Sequence, residues 1–118
     1  MTKQQERGKF GEDYALNYLK AQGLILLERN YLCRMGEIDL IMTETEFLVF
    51  IEVRLRDQTT FAHALESITY TKQRKILRTA EFYMQQKNYK GACRIDAIGI
   101  DISDGQFKLD WVKNAISG

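Results

Sequence analysis

Ile38-Asp39-Leu40-Ile41-Met42 and Val49-Phe50-Ile51-Glu52-Val53-Arg54-Leu55 are the two stretches whose reading decides the fold. Each is a strand-length run of aliphatic and aromatic residues, and each is interrupted by one acid. Acids are depleted in strands, and burying a charge costs on the order of several kcal/mol unless it is paired or binds a metal. Something must therefore compensate Asp39 and Glu52. The chain turns between the two runs, near Thr43 to Phe47. Side chains alternate with period two along a strand, so a loop of two or four residues keeps Asp39, Glu52 and Arg54 on one face. With Thr45-Glu46 as the loop, Asp39 lies directly opposite Glu52, with Cβ atoms about 5 Å apart. A loop of three or five residues would put them on opposite faces.

The rest of the chain extends this pair of strands into a layered domain. Lys9 to Gln22 reads as a helix, with Phe10, Tyr14, Ala15, Tyr18 and Leu19 on one stripe and Gly23 as its C-terminal glycine. A strand opens at Leu24 and fades at Arg29-Asn30, and Gly36 breaks the chain. The strands Ile38 to Met42 and Phe47 to Leu55 follow, then a polar stretch from Arg56 to Thr60. Thr71 to Gln86 reads as a long helix. Cys93 to Ile102 and Phe107 to Val112 are two further strands, joined by a tight turn at Ser103-Asp104-Gly105. The order is αβββαββ. The second and third strands are apolar on both faces, so helices are expected on both sides of a mixed β-sheet, in an α/β fold.

Composition sets outer limits. The chain has 118 residues, 45% hydrophobic and 28% charged, which fits one globular domain over residues 1–118. Cys33, Cys93 and His63 are fewer than the four ligands a structural zinc site takes, and two cysteines make no disulfide scaffold. The polar start Met1-Thr2-Lys3-Gln4-Gln5-Glu6-Arg7 carries no secretory signal, and the longest apolar run, about Phe47 to Ile51, is far too short to span a bilayer. A soluble, cytoplasmic protein with reduced thiols and no membrane partner is expected. The net charge is +1, yet Thr69 to Arg78 carries Lys72, Arg74, Lys75 and Arg78 with no acid among them.

Two adjacent carboxylates followed by a cation form a candidate Mg²⁺ site, because magnesium takes one or two carboxylates and leaves room for water and substrate phosphate. The alternative is that Asp39 simply pairs with Arg54 or Arg34, and Glu52 with another arginine. Glu37 shares the face of Asp39 and is placed to orient Arg54. Asp96 also interrupts an apolar strand, but Arg94 offers it a partner, so it reads as structural. Gly8 and Gly11 lower helix propensity and admit close approach of a phosphate backbone or of packed side chains, with packing the simpler reading. His63 reads as an ordinary surface histidine, Trp111 as core, and both cysteines as small buried hydrophobes.

These residues also resemble a known family. Glu12, Asp39 and Glu52-Val53-Arg54 on an αβββ frame are similar to the PD-(D/E)xK nuclease superfamily, which has a restriction-endonuclease-like αβββαβ core. More narrowly, Gly8-Lys9-Phe10-Gly11-Glu12, Arg29-Asn30-Tyr31, Gly36-Glu37-Ile38-Asp39-Leu40-Ile41, Val49-Phe50-Ile51-Glu52-Val53-Arg54, Lys72-Gln73 and Cys93-Arg94-Ile95-Asp96 resemble the YraN family of small bacterial proteins, considered similar to Holliday-junction resolvases. The resemblance spans about Gly8 to Ile116. It implies a metal-dependent endonuclease-like protein for branched or structured DNA, with Mg²⁺ or Mn²⁺ on Asp39 and Glu52 and Glu12 assisting. Arg54 and Lys72 would face the scissile phosphate, and Gln73, Arg74, Lys75 and Arg78 would bind nucleic acid. A homodimer is implied too, since a four-way junction offers two symmetric strands. One position departs from the superfamily: its lysine is Arg54 here. Arginine stays protonated and cannot act as a general base, so water activation would fall to the metal or to another residue, Lys72 or Gln73. That departure keeps open a non-catalytic nucleic-acid-binding module. An interaction protein with salt-bridged buried acids is the third reading.

Overall fold

In the computed structural model, which describes residues 2–57 and 64–117, the chain forms α1 (Lys3–Ala21), β1 (Ile25–Cys33), β2 (Gly36–Glu44), β3 (Phe47–Asp57), a 3₁₀ turn (Ala64–Ser67), α2 (Tyr70–Gln86), β4 (Cys93–Ser103) and β5 (Gln106–Val112). The strands lie side by side in the order β1-β2-β3-β4-β5. All neighbours are antiparallel except β3 and β4, which are parallel and connected through α2. The expected αβββαββ order and mixed α/β sheet are what the chain adopts, compatible with a restriction-endonuclease-like αβββαβ core. Among the described residues, no helix is long and apolar enough to cross a membrane.

Both faces of the sheet are covered. On one face Ala15, Leu16 and Leu19 of α1 pack with Leu40, Met42, Val49, Ile51, Ile98 and Ile100. On the other, Ile76, Ala80 and Tyr83 of α2 pack with Ile38, Ile41, Phe50 and Ile95. This two-sided cover explains the unbroken burial of β2 from Ile38 to Met42.

Two of the expected boundaries shift, each for an identifiable cause. α1 begins at Lys3 rather than Lys9, because Thr2 and Gln5 form a reciprocal capping box that outweighs the poor propensity of Gly8 and Gly11. β1 continues through Arg29-Asn30 to Cys33, with Asn30 at φ 54°, a left-handed conformation that asparagine tolerates. Trp111 is only partly buried; it packs at the margin of the α1-side core, and its Nε1 donates to Asp96 Oδ2 at 3.0 Å. Cys33 is half-buried, but Cys93, expected in the core, is exposed at the start of β4. His63 lies outside the described residues.

Candidate functional site

The turn between β2 and β3 is Thr45-Glu46, closed by the pair Glu44↔Phe47, so the two-residue loop is the one adopted. Its register runs Thr43↔Leu48, Met42↔Val49, Ile41↔Phe50 and Leu40↔Ile51, and stops there. The next pair would be Asp39↔Glu52. Instead the strands part: β2 continues on β1 alone, and β3 continues on β4 alone. The Val53 amide donates to Asp39 Oδ2 at 2.8 Å, so a side chain replaces the next rung of the ladder.

The alternation that the sequence reading relies on is also interrupted here. Ile38 packs on the α2 side and Leu40 on the α1 side, although two residues apart should share a face. Asp39 sits between them, with Asn30 distorted beside it on β1. The carboxylates nevertheless meet, because β3 keeps its alternation and carries Glu52 to the α2 side with Phe50. A cleft of about 360 Å³ is lined by Asp39, Glu52, Glu37, Arg54, Lys72 and Lys75. Asp39, Glu52, Arg54 and Lys72, expected from sequence at one site, are thus brought together.

α2 is positioned over this cleft by a close contact. A Cβ on Gly36 would lie 2.9 Å from Thr79 Oγ1, and Gly36 has φ +152°, so only glycine lets α2 approach β2 this closely. Thr79 is fully buried and its hydroxyl donates to the Lys75 carbonyl at 2.8 Å. One and two turns back along the same helix face lie Lys75 and Lys72, which line the cleft. The basic run is thereby divided. Lys72 and Lys75 face the carboxylates, whereas Arg74 and Arg78 are exposed and line no part of this cleft. Gln73, expected among the nucleic-acid contacts, turns the other way: its Nε2 donates to the Ile68 carbonyl at 3.2 Å.

The electrostatics mark Asp39 as unusual. Burial, together with the adjoining Glu52 carboxylate, pushes its pKa up to about 9, with the Val53 amide and Arg54 only partly opposing the rise. Among the described residues no ion pair joins Asp39 or Glu52 to an arginine, so the alternative of simple salt bridges to Arg54 or Arg34 is not the arrangement seen. Arg54 Nε is buried and has no hydrogen-bond partner among the described residues. Asp96 shows the contrast. It is fully buried but accepts from Arg94 Nε at 3.0 Å, the Asn114 amide at 2.9 Å and Trp111, a satisfied structural carboxylate as expected.

Glu12 stands apart. Arg29 Nε donates to its Oε1 at 3.4 Å, and the Asn30 amide, with its nitrogen toward the helix, donates to the same oxygen at 2.9 Å. It lines a separate cleft with Gln5, Gly8, Lys9, Arg29 and Asn30. Its pKa is raised by burial and by Asp39, which places it within the field of the pair. Among the described residues no three Asp, Glu, His or Cys side chains are gathered closely enough to form a metal-holding group, and the Glu12 carboxylate is turned to Arg29 and Asn30. Asp39 and Glu52 could hold one divalent cation: two adjoining carboxylates leave its other positions to water and phosphate. The close approach at Gly36, read from sequence only as a break, and the Val53 amide are the two elements of the site that residue spacing did not reveal.

Comparison with known proteins identifies the lineage. Residues 11–100 match the model of Uncharacterised protein family UPF0102. A UPF0102 protein of Legionella pneumophila (strain Corby) is 50% identical over 113 residues, covering 94% of this chain and 94% of its own length. One from Herminiimonas arsenicoxydans is 44% identical over 115 residues, covering 98% and 90%, and one from Nitrosococcus oceani is 43% identical over 112 residues, covering 93% and 90%. A match of this extent, end to end with its relatives, makes the chain a member of the UPF0102 family, the YraN family that its motifs resemble.

Proposed function

We propose that this protein is a Mg²⁺- or Mn²⁺-dependent endonuclease-like protein that binds branched or structured DNA and hydrolyses a phosphodiester bond at the Asp39–Glu52 cleft. The observation that supports it most is the fork itself: two carboxylates adjoin where β2 and β3 part, with Lys72, Lys75 and Arg54 around them. Asp39 and Glu52 would hold the cation. When bound, it would polarise the scissile phosphate and activate the attacking water. Lys72, Lys75 and Arg54 would draw the phosphate in and stabilise the charge that develops on it. Arg54 offers its guanidinium donors, including the unpartnered Nε, and takes no proton. Glu12 acts on the pair through its field, held back by Arg29 and Asn30.

The arginine in place of the superfamily lysine favours a second reading, a module that binds nucleic acid on the same cleft without cutting it. One experiment separates them. Linear, flapped and four-way DNA are incubated with the protein in Mg²⁺, Mn²⁺ or EDTA, beside Asp39→Asn and Glu52→Gln. Cation-dependent cleavage lost in both variants supports the nuclease. Binding without cleavage under every condition supports the module, and neither binding nor cleavage overturns both.

A further inference from the structure

A second cleft, of about 780 Å³, lies beside the carboxylate site and shares Val53 and Arg54 with it. Its walls are the first two turns of α1, with Lys3, Gln4, Arg7 and Gly8, and the far half of β3, with Arg54 and Arg56; Ser67 joins them. Four of the described side chains that line it are cationic and none is acidic. Asp101 on β4 is the register neighbour of Arg56. Arg7, Arg56 and Ser67 are engaged within the protein, and a guanidinium, with five donors, can hold a protein partner and a phosphate together.

Apart from its capping box and Glu6, the α1 end of this cleft has little that favours the helix. Residues 2–9 are all exposed, and the Thr2–Gln5 capping box, rather than packing in the core, carries the helix out to Lys3. Lys3 and Arg7 lie four apart on one helix face, where like charges repel. Lys3 also opens the helix, where a cation opposes the dipole, an effect that Glu6 in the same turn offsets. Gly8 weakens the helix, and a Cβ there would meet nothing within 4 Å, so neither packing nor backbone conformation calls for glycine. A wall without a side chain does leave room for a backbone to lie against it. Two like charges on one helix face, an extension lying outside the core and a glycine without a packing role coincide on one concave surface.

We propose that this cleft is a phosphodiester-backbone site, holding the stretch of nucleic acid that flanks the phosphate at Asp39 and Glu52, with Arg54 common to both. The assignment rests on the nucleic-acid reading of the neighbouring cleft but not on catalysis. Lys3 and Arg7 supply charge, and Gly8 supplies the room. Contacts of this kind position a strand without reading its bases.

Fluorescence anisotropy in EDTA, with labelled single-stranded, duplex and four-way DNA over a salt series, tests it. Lys3→Glu/Arg7→Glu is compared with Lys87→Glu/Lys90→Glu, an equal charge change at the far end of α2, and with Gly8→Leu. The first pair places acids where the helix dipole favours them, and Gly8→Leu raises helix propensity, so circular dichroism should show all variants folded. Lys3→Glu/Arg7→Glu should weaken binding about tenfold or more at low salt. Removing two phosphate contacts should also flatten the log–log salt slope by about 1.4 on single strands and about 1.8 on duplex. Gly8→Leu should weaken binding with little change in charge response. Losses equal to those of Lys87→Glu/Lys90→Glu overturn the site. So does full affinity in Gly8→Leu, since a general field rather than a cleft would then be at work. If the nuclease reading alone fails, no variant cleaves with Mg²⁺ while these binding losses persist; if this site alone fails, cleavage persists and the losses are absent.

Discussion

The amide of Val53 is held by the carboxylate of Asp39, 2.8 Å away, in the place where a β2 carbonyl would carry the ladder onward. This one bond spans the mouth of the fork and joins both strands of the candidate site. It also fixes Asp39 in a buried position, where its charge is expensive.

The first prediction is a pH dependence of stability. Asp39 titrates near 9 in the folded protein and near 3.9 in an unfolded chain. Between those values the folded state binds the extra proton. Its contribution is therefore full below about pH 4 and is lost as pH rises through about 9. Asp39→Asn mimics the protonated acid, keeps an acceptor for Val53, and should melt higher than the wild type at pH 8, by on the order of 1 kcal/mol, with a smaller difference at pH 5. Thermal melts of both proteins across this range provide the check; parallel curves would remove the buried proton from the account.

Cation binding should carry the same proton. A divalent ion at Asp39 and Glu52 requires both carboxylates ionised, so its arrival expels the proton that Asp39 holds. Affinity for Mg²⁺ or Mn²⁺ should rise with pH up to about 9, as Asp39 ionises. Calorimetry in buffers of different ionisation heat measures the release directly. Binding without proton release would place the ion elsewhere.

For Arg54, donor chemistry and proton chemistry diverge. If it serves only as a cation, Arg54→Lys keeps much of any cleavage and Arg54→Ala loses on the order of 10²–10³ in rate, the effect of one transition-state donor. Single-turnover rates on matched preparations decide it. Equal cleavage by wild type and Arg54→Ala would point to a contaminating nuclease.

The division of the basic run sets a further expectation. Lys72 and Lys75 line the carboxylate cleft and Arg74 and Arg78 do not. Lys72→Glu/Lys75→Glu should weaken DNA binding severalfold more than Arg74→Glu/Arg78→Glu at low salt, and the gap should close as salt rises. Equal losses would mean that the outward face binds as strongly as the cleft.

Much of this was legible because burial is chemically selective. An acid inside an apolar strand is conspicuous, and a two-residue turn at Thr45-Glu46 sets which acids meet. Arg94 beside Asp96 likewise announces a satisfied pair. What stayed hidden depends on three-dimensional competition. Period-two alternation assumes an unbroken ladder, and β2 abandons β3 at Asp39. Helical spacing separates Lys72 and Lys75 from Arg74 and Arg78 only once the packed face is known, and Thr79 against Gly36 determines that face. Gln73 finds a carbonyl partner in Ile68 that no spacing rule brings to mind. The early start of α1 was written in Thr2 and Gln5, a signal that two glycines obscured.

The fork also has a mechanical side. α1 packs chiefly on β3 and α2 on β2, so each helix grips a different prong. Any ligand that spans the two helices would pull or press across the junction, and the carboxylates at its vertex would feel the leverage first. The Val53 amide, tied to the opposite prong, is then a built-in gauge. Its exchange with solvent deuterium should slow when a substrate clamps the prongs and quicken when the Asp39 tether is cut.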